Sequence, residues 1–390
     1  MEVKNYNQPV DASLFPEGCP RCSLLKFLLH LVPVAAVGLW GAYAAFRVLA
    51  HGLGETGLDD YFGFGLWITF DLAVIALGAG AFFTGALRYL LNIDALKNII
   101  NLTVVVGFLC YSGAMLVLVL DIGQPLRAWF GYWHPNVHSM LTEVIFCITC
   151  YCTVLIIEYV PLALENRQLA KNKLAHAIAH NFHLIMPLFA GIGAFLSTFH
   201  QGSLGGMYGV LFGRPYILRD GFFIWPWTFF LYILSAVGSG PMFTVLVCTF
   251  MEKLTGRKLV SWDVKQLMGK IAGTMFTIYM VFKLIDTAGW VMDILPRSGM
   301  TFDQMFHGWI YGKWLLFAEL VVCGVLPAYL LFSKKCRSNP EMGIWSIRML
   351  LCFHSCFYQF FCFHPVKLLL FIFILYFPTN DILFTCFIVI

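Results

Sequence analysis

The sequence has little charge, and it lacks the motifs that attach most protein-bound redox centres. Only 12% of its 390 residues are Asp, Glu, Lys or Arg, against about 25% in soluble domains. Its 13 cysteines form neither a CxxCH haem-attachment motif nor a multi-cysteine cluster motif. Cys19 and Cys22 form a lone CxxC pair that could bind a metal or undergo redox chemistry, although a pair of reduced thiols is favoured. We therefore expect no metal site and no covalent haem.

The N-terminal segment lacks the pattern of a cleavable signal peptide. Residues 1–26 mix acids, prolines and lysines, without a short apolar core before a small-residue cleavage site. We expect this segment to be cytoplasmic and the first apolar run to act as the insertion signal. The net charge of +4 is no evidence for nucleic-acid binding, because the basic residues flank apolar runs.

Long apolar runs recur along the chain, and 60% of the residues are hydrophobic. Each run is long enough to cross a hydrocarbon core about 30 Å thick as a helix. The sequence therefore predicts an all-α integral membrane protein with about ten transmembrane helices. The predicted spans are 27–49, 62–91, 98–120, 139–163, 181–199, 222–251, 268–292, 310–332, 343–361 and 368–390.

Two of these spans share a pattern of small residues that predicts an internal repeat. The matching sets are Gly78, Gly80 and Thr84 in the second span and Gly238, Gly240 and Thr244 in the sixth. Small residues at such spacing allow close helix packing, although glycine-rich spans can also resemble each other by chance. We predict two four-helix bundles, at about 62–199 and 222–361, plus flanking helices. They form a membrane domain at 27–361, which a C-terminal helix at 362–390 follows.

The basic residues predict the orientation of the chain. Most of the 25 Lys and Arg residues lie in the N-terminal segment and the even-numbered loops, which places these on the cytoplasmic side. The tail from residue 349 contains no Gly, Ala, Glu, Arg or Trp. This abrupt break indicates either a divergent tail or a reading-frame error, so we base no functional prediction on it.

Six charged residues within the predicted spans are candidates for chemistry, because a charge inside a membrane costs at least about 2.5 kcal/mol on insertion scales. They are Asp71, Glu143, Glu158, Lys283, Asp286 and Glu319. Lys283 and Asp286 lie on one face of the seventh span and can neutralise each other. We expect Asp71 and Glu319 near the membrane middle. The acids indicate either a proton route across part of the membrane or helix-to-helix hydrogen bonds.

The segment 196–206 combines a His-Gln pair with serines and glycines, and we expect it to end the fifth span at the outer face. A quinone ring needs donors to its carbonyls, a proton exchanger and apolar walls. His200, Gln201 and Ser203 could supply the donors, and the near-neutral pKa of histidine suits proton exchange. His200 could also be a local hydrogen-bonding residue. Haem b is not expected, because His30, His183 and His200 do not form the pattern of two facing ligand helices.

The chain resembles the NrfD/PsrC family of quinone-interacting membrane subunits, in particular its ten-span HybB- and DsrP-like branch. The segments 78–82, 121–127 with 135–143, 197–206 and 337–340 carry the likeness. It covers about residues 30 to 348, and the segment 200–206 is closer to the DsrP-like members. The tail after residue 348 departs from the family, so no family residue can be assigned there.

The resemblance implies a membrane-anchor subunit that binds menaquinone or ubiquinone near the outer face, with menaquinone favoured. It implies electron exchange with a ferredoxin-like, multi-cluster iron–sulfur subunit, in a larger redox complex of a prokaryotic cytoplasmic (inner) membrane. We expect segments 135–139, 200–206 and 214–220 to contact that subunit. Carried over by position, the residues by the quinone would be His200, Gln201 and Ser203, with Asp121 and Glu143 nearby. The proton-handling acids would be Asp71, Asp286 and Glu319, with Glu143 as a further catalytic acid.

Two other classes of protein fit part of this pattern. A secondary transporter would also have about ten spans and buried acids, but the predicted repeat is parallel, and inverted repeats with broken helices are not evident. A purely structural anchor would dock its partners without binding a quinone. Quinol-dependent reduction of an iron–sulfur partner would separate these classes.

Overall fold

The computed structural model describes residues 23–56, 58, 66–164, 172–210, 225–255, 258–297, 299, 301–305 and 313–338. Every regular element in these ranges is a helix, and they contain no strand. The α-helices are α1 Leu24–His51, α2 Leu66–Tyr89, α3 Ile100–Asp121, α4 Phe130–Trp133, α5 Met140–Leu164, α6 Lys173–Val210, α7 Trp225–Thr255, α8 Trp262–Gly289, α9 Leu295–Arg297, α10 Phe302–Met305, α11 Lys313–Phe317, α12 Leu326–Phe332 and α13 Lys334–Arg337. Two π-helical segments, Trp290–Ile294 and Ala318–Val325, follow α8 and α11, and short 3-10 segments lie at Leu53–Glu55, Asp94–Asn98 and Pro125–Arg127.

The prediction of an all-α membrane protein is confirmed. Within the described ranges, six helices are long and apolar enough to cross a membrane: Leu24–His51, Leu72–Tyr89, Ile100–Asp121, Thr142–Leu164, Lys173–Gly206 and Phe229–Glu252. They coincide with the first six predicted spans. Helix α8 occupies the predicted seventh span, and the run from α11 to α12 occupies the eighth. The ninth and tenth predicted spans and the Cys19–Cys22 pair lie outside the described residues.

Four helices close into a ring. Helix α2 packs against α3, α3 against α5, α5 against α6, and α6 back against α2. Helix α7 packs on the outside of this ring against α2 and α6, and α8 packs between α7 and α12. We call the end of the ring where α3 ends and α5 begins the outer end, following the predicted orientation. The division into two four-helix bundles stays a prediction, because the fourth member of the second bundle lies outside the described residues.

The two copies of the suspected repeat pack directly against each other. A Cβ atom built on Gly80 of α2 would lie 2.1 Å from the Cα atom of Gly240 in α7, and one on Gly240 would lie equally close to Gly80. The hydroxyls of Thr84 and Thr244 each donate to the glycine carbonyl four residues earlier, at 2.9 and 3.2 Å. Glycine is therefore required on both sides of this crossing. The common origin of the two copies stays a prediction.

Helix α6 is longer than predicted. The predicted end of the fifth span at residue 199 is wrong, because the helix continues through His200 to Val210. Residues 201–206 are all buried, and a Cβ atom on Gly202 would lie 2.2 Å from the ring of Phe229 in α7. Glycine weakens an isolated helix by about 1 kcal/mol, but here its small size lets α7 approach. The glycines therefore serve helix packing.

Candidate functional site

His200 lies inside the ring of helices and not at its outer boundary. The side chain has no exposed surface, and neither ring nitrogen has a hydrogen-bond partner among the described residues. Its neighbour is Tyr111, whose ring centroid lies 6.1 Å from that of His200. Tyr111 stands midway along α3, so the histidine is held at mid-helix depth.

An aromatic side chain from each helix of the ring meets at this depth. Phe82 of α2, Tyr111 of α3, Tyr151 of α5 and His200 of α6 are all buried, and we call them the central cluster. The ring centroids of Tyr111 and Tyr151 are 4.0 Å apart, and those of Phe82 and Tyr151 are 3.9 Å apart. Aromatic pairs favour such tilted, edge-directed contacts. The cluster thus joins all four helices at one level.

The central cluster holds several polar groups without partners. The two nitrogens of His200 and the hydroxyls of Tyr111 and Tyr151 have no partner at good hydrogen-bond geometry within the described residues. The two hydroxyls nevertheless lie close to each other and to Ser197. Most buried polar groups in proteins are hydrogen-bonded, and exceptions gathered in one place indicate bound water or a ligand. The Tyr111 hydroxyl lies close to the side chains of Ser197 and Gln201 on α6. The cluster can therefore donate to, and accept from, a polar group placed between α3 and α6.

Gln201 and Ser203 are buried beside His200, as their order in the sequence suggests. The hydroxyl of Ser203 donates to the carbonyl oxygen of Phe199 at 2.9 Å. Its proton is thus engaged inside the helix, which leaves Ser203 only its acceptor capacity. Ser197, one helical turn before Gln201, faces the cluster, and the sequence pattern gave it no special role.

Asp121 and Glu143 lie at the outer end of the ring, away from the cluster. Asp121 is ten residues beyond Tyr111 on α3, and Glu143 is eight residues before Tyr151 on α5. At 1.5 Å per residue these offsets correspond to about 15 and 12 Å. The expectation that His200 shares their depth is wrong, because the histidine lies within α6 and not at its end.

Asp71 lies on the outer side of the central cluster, whereas we expected it near the membrane middle. It is in the second turn of α2, eleven residues before Phe82, or about 16 Å by helical rise. Glu319 belongs to the π-helical segment Ala318–Val325. The side chains of both acids lie outside the described set.

Lys283 and Asp286 are both buried in α8, which confirms that they lie in the protein interior. Whether they pair with each other stays a prediction. The π-helical segment Trp290–Ile294 begins four residues after Asp286. Single π-helical turns are frequent at functional sites.

Glu158 connects the central cluster with the inner end of the ring. It is 7% exposed and lies two turns beyond Tyr151 on the same face of α5. Its carboxyl interacts electrostatically with Tyr151 and with Tyr89, the last residue of α2. Next to Tyr89, the guanidinium of Arg88 binds the exposed carboxylate of Asp94 at 2.9 Å. Titratable side chains therefore recur from His200 toward the solvent-exposed inner end, with about 10 Å of helical rise between Tyr151 and Glu158.

A cavity adjoins the central cluster between α2, α6 and α7. It offers about 40 Å³ to the centres of water-sized molecules, and about 310 Å³ is empty when the open space at its mouth is included. Polar side chains from α6 line one wall, and apolar side chains line the rest; the lining residues are Ala79, Phe82, Phe83, Ala194, Ser197, Thr198, Gln201, Ile233, Ala236 and Val237. Phe82, Ser197 and Gln201 belong to both the cavity and the surroundings of His200. The cavity therefore opens toward the unpartnered polar groups.

The described residues contain no group of three His, Cys, Asp or Glu side chains that could hold a metal ion. The chain nevertheless has a clear family relationship. Residues 54–347 match the family described as "Polysulphide reductase, NrfD". The chain belongs to the NrfD family. The resemblance seen in the sequence is thereby confirmed, and the match ends next to the composition break at residue 349.

The chain is similar to subunits of several redox enzymes. The chain is 78% identical over 340 residues to the menaquinone reductase integral membrane subunit of Nitratidesulfovibrio vulgaris, covering 87% of this chain and 81% of the relative. It is 21% identical to a selenate reductase subunit of Mesobacillus selenatarsenatis, over 83% and 79% of the two chains. It is 27% identical to a probable Ni/Fe-hydrogenase 2 b-type cytochrome subunit of Escherichia coli, over 41% of this chain and 40% of the relative.

The NrfD-family sequence alone did not single out Tyr111, Tyr151 or Phe82. A usable signal was present, because Tyr111 and Tyr151 stand in the middle of apolar spans. Tyrosines in membrane proteins concentrate at the two interfaces, so a mid-span tyrosine needs a buried partner for its hydroxyl. Their convergence on His200 depends on the rotation of three helices, which the sequence does not show.

Proposed function

We propose that this NrfD-family chain is the quinone-binding membrane subunit of a redox complex, exchanging electrons between membrane menaquinol and an iron–sulfur subunit. The observation that carries the proposal is the central cluster, where buried His200, Tyr111 and Tyr151 hold polar groups without partners beside a cavity. The name of the relative that is 78% identical, a menaquinone reductase membrane subunit, supports menaquinone as the quinone.

The polar groups of the cluster can bind both the oxidised and the reduced form of a quinone. Quinone reduction takes up two electrons and two protons, and quinol oxidation releases them. The carbonyl oxygens of the oxidised ring need donors, whereas the hydroxyls of the reduced ring need acceptors. His200 can donate from one ring nitrogen and accept at the other, and the Tyr111 hydroxyl can do either. Gln201 would orient the ring beside them. Phe82 supplies an apolar wall.

Protons would reach the cluster through Tyr151 and Glu158. Glu158 lies two turns from Tyr151 toward the inner end of the ring and interacts electrostatically with both Tyr151 and Tyr89. Side chains that can both donate and accept are suited to passing a proton along such a series. Asp71, Asp121 and Glu143 would serve the outer side. Asp286 and Glu319, near the π-helical segments, are proposed as further proton-handling acids.

The electron partner is proposed to be a ferredoxin-like iron–sulfur subunit at the outer end. The sequence carries no cluster motif of its own, and the relatives named as reductase subunits imply partner subunits in those complexes. Segment 200–206 cannot form the docking surface, because these residues are buried within the helices. Residues 135–138 are exposed at the outer end, whereas 214–220 lie outside the described residues.

Replacing His200 with alanine in the whole complex tests the function. We expect His200→Ala to slow quinone-linked turnover by about 10²-fold or more, as the loss of a positioned proton-transfer group does, while the complex stays assembled. His180→Ala is the matched control, because His180 lies on the same helix and is exposed. Turnover would be followed by absorbance with a menaquinol analogue, and assembly by native electrophoresis. Normal turnover of an assembled His200→Ala complex would overturn the proposal and favour a structural anchor.

A further inference from the structure

The cavity beside the central cluster opens sideways, into the region where lipid would surround the helices. All of its lining residues lie inside α2, α6 and α7, and none lies in a loop or at a helix end. Thr198 of α6 is exposed at the mouth, and Phe83, Ile233 and Val237 are half-buried around it. A solute dissolved in water would approach between helix ends, whereas a solute dissolved in the bilayer would approach between helices.

The mouth is suited to an apolar solute. The hydroxyl of Thr198 donates to the carbonyl oxygen of Ala194 at 2.8 Å, so it offers no spare proton at the entrance. The other side chains at the mouth are aliphatic or aromatic. Polarity increases inward, through Ser197 to Gln201 and the groups that contact Tyr111. An apolar wall with a few convergent polar groups at its closed end is the usual character of a small-molecule site.

Three alanines determine the width of the passage. Ala79, Ala194 and Ala236 each come from a different helix, and each lines the cavity. Ala79 and Ala236 are buried, and Ala194 is half-buried. A leucine in any of these places would add three carbon atoms to a narrow space between three helices, which offers only about 40 Å³ to the centres of water-sized molecules. Their small side chains are therefore the reason that the space exists.

We infer that the cavity between α2, α6 and α7 is the lateral opening through which a quinone ring reaches the central cluster from the lipid. The three alanines set the ring size that it admits, so they act as specificity-determining residues. This inference rests on the proposed quinone function. It requires a lipid-soluble substrate, whose apolar tail remains between α6 and α7.

The test compares two substrates in the assembled complex. We expect Ala194→Leu and Ala236→Leu to lower kcat/KM for a naphthoquinol at least tenfold more than for a smaller benzoquinol, since one methylene in an apolar pocket changes kcat/KM by about 10- to 200-fold. The control is Ala177→Leu, which adds the same atoms to α6 at an exposed position away from the cavity. Equal kcat/KM values for all variants with both substrates, or equal losses with both, would overturn the inference.

A measurement on the unaltered complex covers the case in which Ala236→Leu fails to assemble. An azido-naphthoquinone would be activated by light in proteoliposomes and its adducts mapped by mass spectrometry. We expect adducts at 194–201 and 233–237, reduced by excess menaquinone. Adducts confined to loops or to other helices would overturn the lateral opening. If the unaltered complex turns over no quinone at all, the proposed function is wrong. If it turns over quinone but the alanine variants have the same kcat/KM as the unaltered complex, only the lateral opening is wrong.

Discussion

At the residue scale, the most consequential feature is that titratable groups are buried in one connected series. His200, Tyr111 and Tyr151 meet at mid-helix depth, and Glu158 extends this series toward Tyr89. Ionising any of them in an apolar interior is costly unless a partner stabilises the charge. Glu158 lies seven residues from Tyr151, about 10 Å by helical rise, so a proton passing between them needs a bridging group such as bound water.

Glu158 is the residue whose replacement tests this series. We expect Glu158→Gln to slow proton uptake from the inner side by about 10²-fold, near the lower limit for a positioned proton-transfer group. Glutamine has nearly the same shape but no acidic proton, so the helices should remain packed. Uptake would be measured with a pH-sensitive dye trapped in proteoliposomes of known orientation during quinone reduction.

Glu143→Gln is the control for this measurement. Glu143 lies on the same helix, in its first turn at the outer end. Because Glu143 is itself proposed to handle protons on the outer side, the comparison is made per quinone reduced, and its replacement should leave the number of protons taken up from the inner side per quinone unchanged. If Glu143→Gln blocks inner uptake and Glu158→Gln does not, protons enter from the outer end and the proposed series is not used.

At the element scale, the crossing of α2 and α7 determines how α7 sits on the helix ring. The backbones touch at Gly80 and Gly240, where no side chain fits. In a membrane, helices gain little from hydrophobic burial against each other, so close backbone packing is a main source of their association. The same crossing places α7 beside α6, where it completes the wall of the cavity.

A single methyl group added at this crossing should therefore destabilise the protein. We expect Gly80→Ala to lower stability by about 1–3 kcal/mol, the usual cost of overpacking, because the new Cβ atom would lie 2.1 Å from Gly240. The measurement is the thermal midpoint of the detergent-solubilised complex.

Gly85→Ala on the same helix is the matched control. Its added Cβ atom would meet only Ala190, at an ordinary contact distance of 3.9 Å. Both changes replace a glycine inside α2 by a better helix former, so helix propensity affects them equally. Equal thermal midpoints for the two variants would show that the helices do not cross at Gly80.

At the scale of the whole molecule, the outer end carries an apolar surface that the described residues leave open. Leu126, Trp133 and Val137 are more than 70% exposed in the connection between α3 and α5. Trp133 could lie at the membrane interface, where tryptophan is common. Val137 follows the short helix α4 in an exposed loop and is 84% exposed, which suits a contact with a peripheral subunit.

A charge at Val137 should weaken the attachment of the iron–sulfur partner. We expect Val137→Asp to lower partner retention during purification by about tenfold, because a desolvated, unpaired carboxylate costs at least 1–3 kcal/mol. Retention would be measured by quantitative mass spectrometry of the isolated complex. Leu91→Asp is the control, since Leu91 is similarly exposed but lies at the inner end. Loss of the partner with Leu91→Asp alone would place the docking surface at the inner end.

The sequence by itself determined that this is a helical membrane protein of the NrfD family, and where most of the helices lie. These properties are local, because a span is read from the hydropathy of its own residues. The burial of Lys283 and Asp286 was predictable for the same reason, since a charge rarely faces lipid. The residue pattern also revealed the two matching glycine sets.

Only the tertiary structure decided which residues face one another. The hydropathy pattern predicted that the fifth span ends at residue 199, because hydropathy does not show that Gly202 packs against Phe229. The meeting of Tyr111, Tyr151 and His200 depends on the rotation of each helix about its own axis. In apolar spans every face has similar hydropathy, so the sequence does not determine that rotation. The packing of side chains between the helices determines the rotation, and it placed His200 about 15 Å deeper than Asp121.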